Sequence, residues 1–299
     1  RRMKRIYSEW VEGIMKKMLL QPVSENEFLY YYTKIHGAQG ILKDRSIRAT
    51  KSDFLNDTNE MVYMLSVVEE VIMEIMNKAW RESLYAGIIK NSAETRRQNH
   101  YVISFSTNAD SITLWAEFGD STGYNIGFRG CEMIKMLEDS HALLTHGKVI
   151  YSQNEQKGIV RNLLTEIIPK KMGYSFEDIM EMSVKGGRCA EYEKLCKKFL
   201  KAISTYALFF KQEEFAAEEE YRVVFKSEED DKILFREREG FLLPYLLIQL
   251  KEKNQQLPVH SVTVAPKNHV DLSKKGMEIY LESLGYDTKV ELSKIKLRY

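Results

Sequence analysis

The sequence predicts an α+β protein in which short, mostly antiparallel strands alternate irregularly with helices. Segments rich in aromatic and β-branched residues, which are typical of strands, recur from residue 28 to residue 292. Helical periodicity fills two long stretches between them, 58–99 and about 155–212. No regular strand-helix-strand repeat is visible, which argues against a parallel α/β fold. We expect a helical leader over 1–27 and one domain over 28–299 that carries a helical insertion at about 155–212.

The first part of the chain alternates between the two patterns. Apolar residues at four-residue spacing predict an amphipathic helix over 6–20. The elements predicted next are a strand at 28–33, a helix at 35–44, an extended segment at 46–50 and a long helical region at 58–99.

The rest of the chain returns to short strands on either side of the insertion. The predicted strands lie at 101–106, 124–128, 148–151, 221–225, 233–235, 246–248, 261–264 and 289–292. A turn-helix is expected at 111–115, a turn at 119–123, and a helix at 272–284.

Composition excludes several functional classes. The 299 residues are 44% hydrophobic, and 44 Lys and Arg balance 43 Asp and Glu, so no overall field attracts nucleic acid or a membrane. Three cysteines and six histidines show no metal-ligand spacing. Gly-x-Gly-x-x-Gly, Walker and Gly-x-Ser-x-Gly motifs are absent, which disfavours Rossmann, P-loop and serine-hydrolase chemistry.

Apolar runs are too short to predict a membrane protein. None approaches the roughly 18 residues of a spanning helix, and the basic first residues lead into polar sequence instead of a signal-peptide core. We therefore expect a cytoplasmic protein with no membrane partner. The oligomeric state stays open.

The aromatic strand at 28–33 is the first candidate for a binding site. Tyr30, Tyr31 and Tyr32 are consecutive and are followed by Thr33, so their hydroxyls alternate between the two faces of the strand. Flat rings combined with a few hydroxyls are typical of pockets for polar, aromatic ligands.

A polar segment follows about twenty residues later. Asn56, Asp57 and Glu60 come directly after an apolar pair, where they supply donors and acceptors to the same pocket. The ordinary alternative is a helix cap, with Asp57 accepting backbone hydrogen bonds and Glu60 completing a capping box. Both roles are compatible, because a helix amino terminus also presents free amides.

An acidic run enters the strand region at Glu220 and Arg222. On a strand these two side chains share a face, so a carboxylate stands beside a guanidinium. That carboxylate could bind a ribose hydroxyl or stabilise positive charge at a sugar carbon. The alternative is an exposed ion pair worth under about 1 kcal/mol.

The strand at 101–106 and the helix after it contribute three further candidates. Ser104 and Ser106 carry small hydroxyls near a strand end, and Trp115 could form a pocket wall. Ordinary strand serines and a core tryptophan are the alternative.

The order of these motifs resembles a bacterial and phage family known as domain of unknown function 2971. The matching segments are Leu29 to Thr33, Ile47 to Thr50, Phe54 to Glu60, Ile103 to Ser106, Ser111 to Trp115, Gly123 to Phe128, Val149 to Tyr151, Phe215 to Arg222 and Val290 to Ile295. The resemblance covers about 28–298 and is weakest near 155–205.

The family is thought to be similar to ADP-ribosyltransferases, which grip NAD with a split, strongly bent β core. This resemblance implies NAD as a substrate, with Glu220 as the catalytic glutamate. Tyr31 stands where such enzymes usually carry a histidine. The cofactor-binding residues implied are Tyr31, Tyr32, Thr33, Arg48, Asn56, Asp57, Glu60, Ser104, Ser106, Trp115 and Arg222.

Three functions follow as alternatives. The first is an NAD-dependent ADP-ribosyltransferase that modifies a protein or nucleic acid, with a place in bacterial or phage conflict. The second is a catalytically inactive relative that binds a nucleotide-like ligand. The third is an interaction module whose helical insertion recruits a partner protein.

Overall fold

The computed structural model describes residues 20–55, 60–95, 100–118, 122–185, 190–228, 230–238, 240–250, 256–267 and 270–296. The strands are β1 Phe28–Thr33, β2 Ser46–Lys51, β3 His100–Ser106, β4 Tyr124–Arg129, β5 Leu143–Lys148, β6 Glu220–Lys226, β7 Leu234–Arg238, β8 Phe241–Gln249, β9 Val259–Val264 and β10 Lys289–Leu292. The α-helices are α1 Ile35–Asp44, α2 Glu60–Ile75, α3 Lys78–Thr95, α4 Ile112–Phe118, α5 Gly130–Ser140, α6 Gln153–Asn162, α7 Ile168–Met172, α8 Phe176–Lys185, α9 Ala190–Tyr206 and α10 Val270–Ser283.

These elements form two compact units. The sheet unit comprises Leu20–Leu55, His100–Val149 and Phe215–Tyr299, and the helical unit comprises Asn56–Asn99 and Ile150–Glu214. In the described residues of the sheet unit, the strand order is β10-β9-β4-β1-β3-β2-β8-β7, and β5 joins through β6. Neighbouring strands are antiparallel except β9 and β10.

β3 is the strand on which the sheet divides. All of β3 pairs with β6 along one edge. β3 also pairs with β2 at Tyr101 and Val102 and with β1 at Ser106. Because a strand has only two edges, β1 and β2 share the second edge of β3 and separate between these contacts. We call this separation, beside residues 103–105, the split.

One face of the sheet carries the main hydrophobic core. Inward residues alternate along each strand, as in Tyr101, Ile103 and Phe105 of β3, and helices α1, α5 and α10 cover them. The largest of these side chains, such as Phe105 and Phe128, are almost completely buried, and each contributes about 1.5–3 kcal/mol relative to an exposed position.

Within the helical unit, α2 and α6 are held together by packing and by a network of ion pairs. Lys157 of α6 pairs with Glu70 at 2.7 Å and with Glu74 at 2.9 Å, both on α2, and Arg161 also reaches Glu74 at 2.7 Å. A π-helical turn, Leu163–Ile167, connects α6 to α7. The predicted helical character of 155–212 is confirmed over its described residues.

Most predicted elements are confirmed to within a few residues, and the structure differs from the sequence analysis at four places. The helical region at 58–99 contains two helices, because Asn77 Oδ1 accepts a hydrogen bond from Trp80 N and caps a new helix. The strand placed at 148–151 ends at Lys148, with one isolated bridge at Ile150. Helix α5 and most of β5 were not predicted. The parallel pair β9 and β10 around α10 is a strand-helix-strand unit that the sequence did not indicate.

The predicted leader falls mostly outside the described residues. Residues 1–19, which include nearly all of the helix expected at 6–20, are not among them. The described remainder, 20–27, contains no helix; Glu27 N donates to Ser24 O at 3.1 Å, and Ser24 N donates to the Glu27 carboxylate at 2.7 Å. These bonds form a turn that leads into β1.

Candidate functional site

Two predicted residues flank the split. Tyr31 follows Tyr30, the β1 residue that pairs with β3. On the opposite side, Arg48 lies two residues before Thr50, which pairs with β3 through its partner Val102. Past these pairings both strands leave β3, so Tyr31 and Arg48 lie where the split begins on either side.

The register of β3 places several predicted residues on one face. Tyr30, Ser106 and Glu220 form one cross-strand row, and Ser104 and Arg222 are paired in the neighbouring part of the sheet. Side chains of directly paired residues point to the same face, and positions two apart repeat it. The predicted shared face of Glu220 and Arg222 is therefore confirmed, and both serines lie on it.

Tyr31 differs from this group. Its neighbour Tyr30 belongs to the row of Glu220, so Tyr31 points toward the opposite face, where its ring packs edge-on against Phe105 at a centroid distance of 5.8 Å. The resemblance to ADP-ribosyltransferases placed Tyr31 and Glu220 in one site. In the structure it is Tyr30 that shares the face of Glu220.

Glu220 and Arg222 form a buried ion pair. Arg222 Nη2 donates to Glu220 Oε2 at 2.9 Å, and Nε lies 3.4 Å from Oε1. The side chains are only 9% and 3% exposed. The alternative of an exposed surface ion pair is wrong, and a buried pair is strongly sensitive to loss of either partner.

The chain turns sharply just before Glu220. Glu219 has a φ of 44°, in the left-handed region that most side chains avoid. Its carboxylate accepts a hydrogen bond from Asn108 Nδ2 at 2.9 Å, and Ser106 Oγ donates to Glu218 O at 2.7 Å. These bonds fix where β6 begins and hence where the Glu220 side chain projects. They also engage the Ser106 hydroxyl, which accepts from Asn108 N at 3.0 Å.

Tyr32 and Trp115 belong to a second, smaller hydrophobic core. Their rings meet edge-on at 4.8 Å, and Trp115 is 1% exposed. The Tyr32 hydroxyl donates to Asn108 O at 2.8 Å and accepts from Ser111 N at 2.9 Å. Burial raises the pKa of Tyr32, so the phenol stays protonated. These contacts favour the core alternative for Trp115 and a structural role for Tyr32.

Asp110 connects this second core to the carboxy-terminal segment. One carboxylate oxygen accepts from Trp115 Nε1 and from Ser293 Oγ, both at 2.7 Å, and the other accepts from Lys294 N at 2.7 Å. The sequence analysis did not identify Asp110. Its only sequence signal is its position one residue before a helix-capping serine.

Arg48 belongs to a group of side chains on β2, β8 and β7 that contains two arginines. We call this group the arginine cluster and define it as Arg48, Thr50, Arg236 and Tyr245. The Arg48 guanidinium lies over the Tyr245 ring, 5.3 Å from its centroid, in cation-π contact. Arg236 Nη2 donates to Thr50 Oγ1 at 3.3 Å. Strand register places Arg48, Thr50 and Tyr245 on the face of Glu220.

Electrostatics link Tyr31 to this cluster. Burial raises the pKa of the Tyr31 phenol, and the positive charges of Arg236 and Arg48 partly oppose that rise. Burial also lowers the pKa of Arg236, and repulsion from Arg48 lowers it further. Arg236 and Tyr245 were missed from the sequence, because their proximity to Arg48 depends on long-range strand order.

The remaining predicted residues are only partly placed. Thr33 ends β1 and lies against Gly37, where a β-carbon would clash with its hydroxyl. Asn56 and Asp57 lie outside the described residues, as does the side chain of Glu60. In the described part of the chain, no group of three His, Cys, Asp or Glu residues is placed to hold a metal ion.

Comparison with known proteins supports the family resemblance. Residues 114–223 match the family model described as Protein of unknown function (DUF2971), the family that the sequence motifs indicated. The match includes Trp115, Glu220 and Arg222. Searches of curated proteins and of solved structures gave no match. Among the described helices, none combines the length and apolar character needed to cross a membrane.

Proposed function

We propose that this chain binds NAD at the face of the sheet beside the split and transfers ADP-ribose to a protein or nucleic acid. The observation that carries the proposal is the row of Tyr30, Ser106 and Glu220, which places a buried carboxylate, a hydroxyl and a phenol on one face across three adjacent strands. The separation of β1 and β2 next to this row supports it, because a ligand needs such an interruption to reach the middle of a sheet.

The chemistry suits these residue types. Departure of nicotinamide leaves positive charge at a sugar carbon, and an adjacent carboxylate stabilises that charge. Glu220 would supply it, while Arg222 provides the counter-charge that permits a carboxylate in this buried position. Tyr30, half-buried on the same face, would offer its ring to the ligand.

One observation favours a second function, namely nucleotide binding without turnover. Both oxygens of Glu220 face the Arg222 guanidinium, at 2.9 and 3.4 Å. A carboxylate held in this way stabilises a sugar cation only if part of that interaction is exchanged for the ligand. If the pair stays closed, the site binds its ligand and the reaction does not proceed.

Release of nicotinamide from NAD tests the proposal. Purified protein is incubated with NAD, and free nicotinamide is followed by chromatography for the wild type and for Glu220→Gln, which keeps shape and removes charge. Glu132→Gln is the matched control, because Glu132 is exposed on α5 and pairs with Arg129. We expect release from the wild type and the control, and at least a hundredfold loss in Glu220→Gln.

Binding separates the two functions. Thermal shift with NAD and ADP-ribose is measured on the same proteins, each first confirmed as folded by circular dichroism. NAD binding without nicotinamide release supports the second function. If the wild type neither binds NAD nor releases nicotinamide, both functions are refuted.

A further inference from the structure

The arginine cluster is an unusual arrangement of like charges. Arg48 and Arg236 approach the same tyrosine, Tyr245, from neighbouring strands on either side of it. Among the described residues, neither guanidinium has a carboxylate within ion-pair distance. Two neighbouring cations without an anion repel each other, so this arrangement is unfavourable as it stands.

Arg236 also has an unsatisfied donor. Its Nε is inaccessible to solvent and has no hydrogen-bond partner in the described chain. The guanidinium contacts Thr50 only through Nη2, at 3.3 Å. A buried donor without an acceptor is costly, and a charged one is more so. Both features are relieved by one event, the arrival of an anion with several acceptor oxygens.

The neighbouring groups indicate which anion. Guanidinium groups bind phosphate oxygens through paired N–H donors. Thr50 adds a hydroxyl at the same place, where its oxygen accepts from Arg236 Nη2 at 3.3 Å. Hydroxyl and guanidinium donors together, with no carboxylate of the described residues ion-paired to either arginine, match a phosphoryl group better than a carboxylate-bearing peptide.

We infer that Arg48 and Arg236, with Thr50, form a binding site for the phosphoryl groups of a nucleotide-type ligand. The identification of the whole ligand as NAD rests on the proposed function. The binding of a phosphoryl anion at this cluster is independent of the proposed function. The role of Arg236 is the new element, since this arginine lies outside every motif that indicated the family.

Binding of inorganic pyrophosphate and of ADP tests the site directly. Isothermal titration calorimetry is performed at low salt on the wild type, Arg48→Gln, Arg236→Gln and a matched control. Arg129→Gln is that control, because Arg129 is an exposed arginine of the same unit, paired with Glu132. Each cluster substitution is expected to weaken binding about tenfold or more, and the control to bind as the wild type does.

Thermal stability without ligand provides an independent measurement. If the two arginines lack an anionic partner, removing one charge relieves repulsion and offsets the lost cation-π contact with Tyr245, so Arg48→Gln is expected to melt close to the wild-type temperature. A lower melting temperature with unchanged pyrophosphate affinity would show that Arg48 stabilises the fold and does not bind the anion, and would overturn the inference. Arg48 is exposed, so this variant is expected to fold even if Arg236→Gln does not.

The outcomes also distinguish this site from the proposed reaction. Pyrophosphate binding that depends on Arg48 and Arg236, without nicotinamide release, supports the anion site and refutes the transferase. Nicotinamide release that is unaffected by Arg48→Gln and Arg236→Gln refutes the anion site and leaves the transferase standing. No pyrophosphate or ADP binding to the wild type refutes the anion site.

Discussion

Breaking the Glu220–Arg222 pair is expected to destabilise the protein by several kcal/mol. The side chains are 9% and 3% exposed, and the closest contact is 2.9 Å. Loss of one partner from a pair buried to this degree costs about 3–5 kcal/mol, because the other charge stays in a low-dielectric site. An exposed pair would contribute at most about 1 kcal/mol. The burial of both groups decides between these two magnitudes.

The perturbation is a double-mutant cycle. Glu220→Leu and Arg222→Met each remove one charge of the buried pair, and the double variant removes both. We expect each single variant to lose about 3–5 kcal/mol of unfolding free energy, and the double variant to lose less than the sum of the two, because the charges of the buried pair are then both absent.

Urea denaturation followed by circular dichroism measures these differences, and hydrogen exchange of β3 and β6 peptides locates them. The two units need not unfold together, so exchange in the sheet unit identifies the relevant transition. Single variants that lose less than about 1 kcal/mol would refute the reasoning. That result would also leave Glu220 solvated and free to meet a ligand without opening an ion pair.

Two further predictions concern groups outside the proposed site. Asp110→Ala should lose about 2–3 kcal/mol of unfolding free energy, because it leaves the buried Trp115 indole without an acceptor and releases Ser293; Asp110→Asn, which keeps an acceptor oxygen, should lose less, and equal losses would argue against this role. Burial lowers the pKa of His146, whose Nδ1 lies 2.5 Å from the Tyr221 hydroxyl. The native state then binds fewer protons than the unfolded state, so unfolding free energy is full above the ordinary value of 6.5 and falls as pH drops below it. Urea denaturation between about pH 7.5 and about pH 5.5 should show this slope in the wild type and a flatter one in His146→Gln, and identical slopes would contradict the assignment.

Local elements of the fold were predictable because their signals lie in adjacent residues. The aromatic run predicted β1 with its exact bounds, and α1 was predicted with the same accuracy. The structure shows that α1 ends because the chain enters a left-handed conformation at Arg45. The same reasoning could have found α5, in which Met133, Ile134 and Leu137 are buried at helical spacing.

Strand order and register could not be predicted in this way. The split exists because β1 and β2 share one edge of β3, and these strands are separated from β3 by the helices α2 and α3. Register decides which of two adjacent tyrosines faces Glu220, because a shift of one residue moves a side chain to the other face. The sequence therefore identified the aromatic strand as a candidate and selected Tyr31, whereas pairing with Ser106 selects Tyr30.

The spacing of the two clusters sets the size of ligand that could use both. Arg236 binds Thr50, whose row crosses β3 at Val102, whereas the row of Glu220 crosses at Ser106. Four residues of a strand span about 13 Å, so pyrophosphate bound at Arg236 and Thr50 is not expected to contact Glu220. Pyrophosphate affinity should therefore be the same in the wild type and in folded Glu220→Gln. A dinucleotide is long enough to reach both rows. NAD affinity should therefore depend on Arg236, and nicotinamide release should depend on both Arg236 and Glu220.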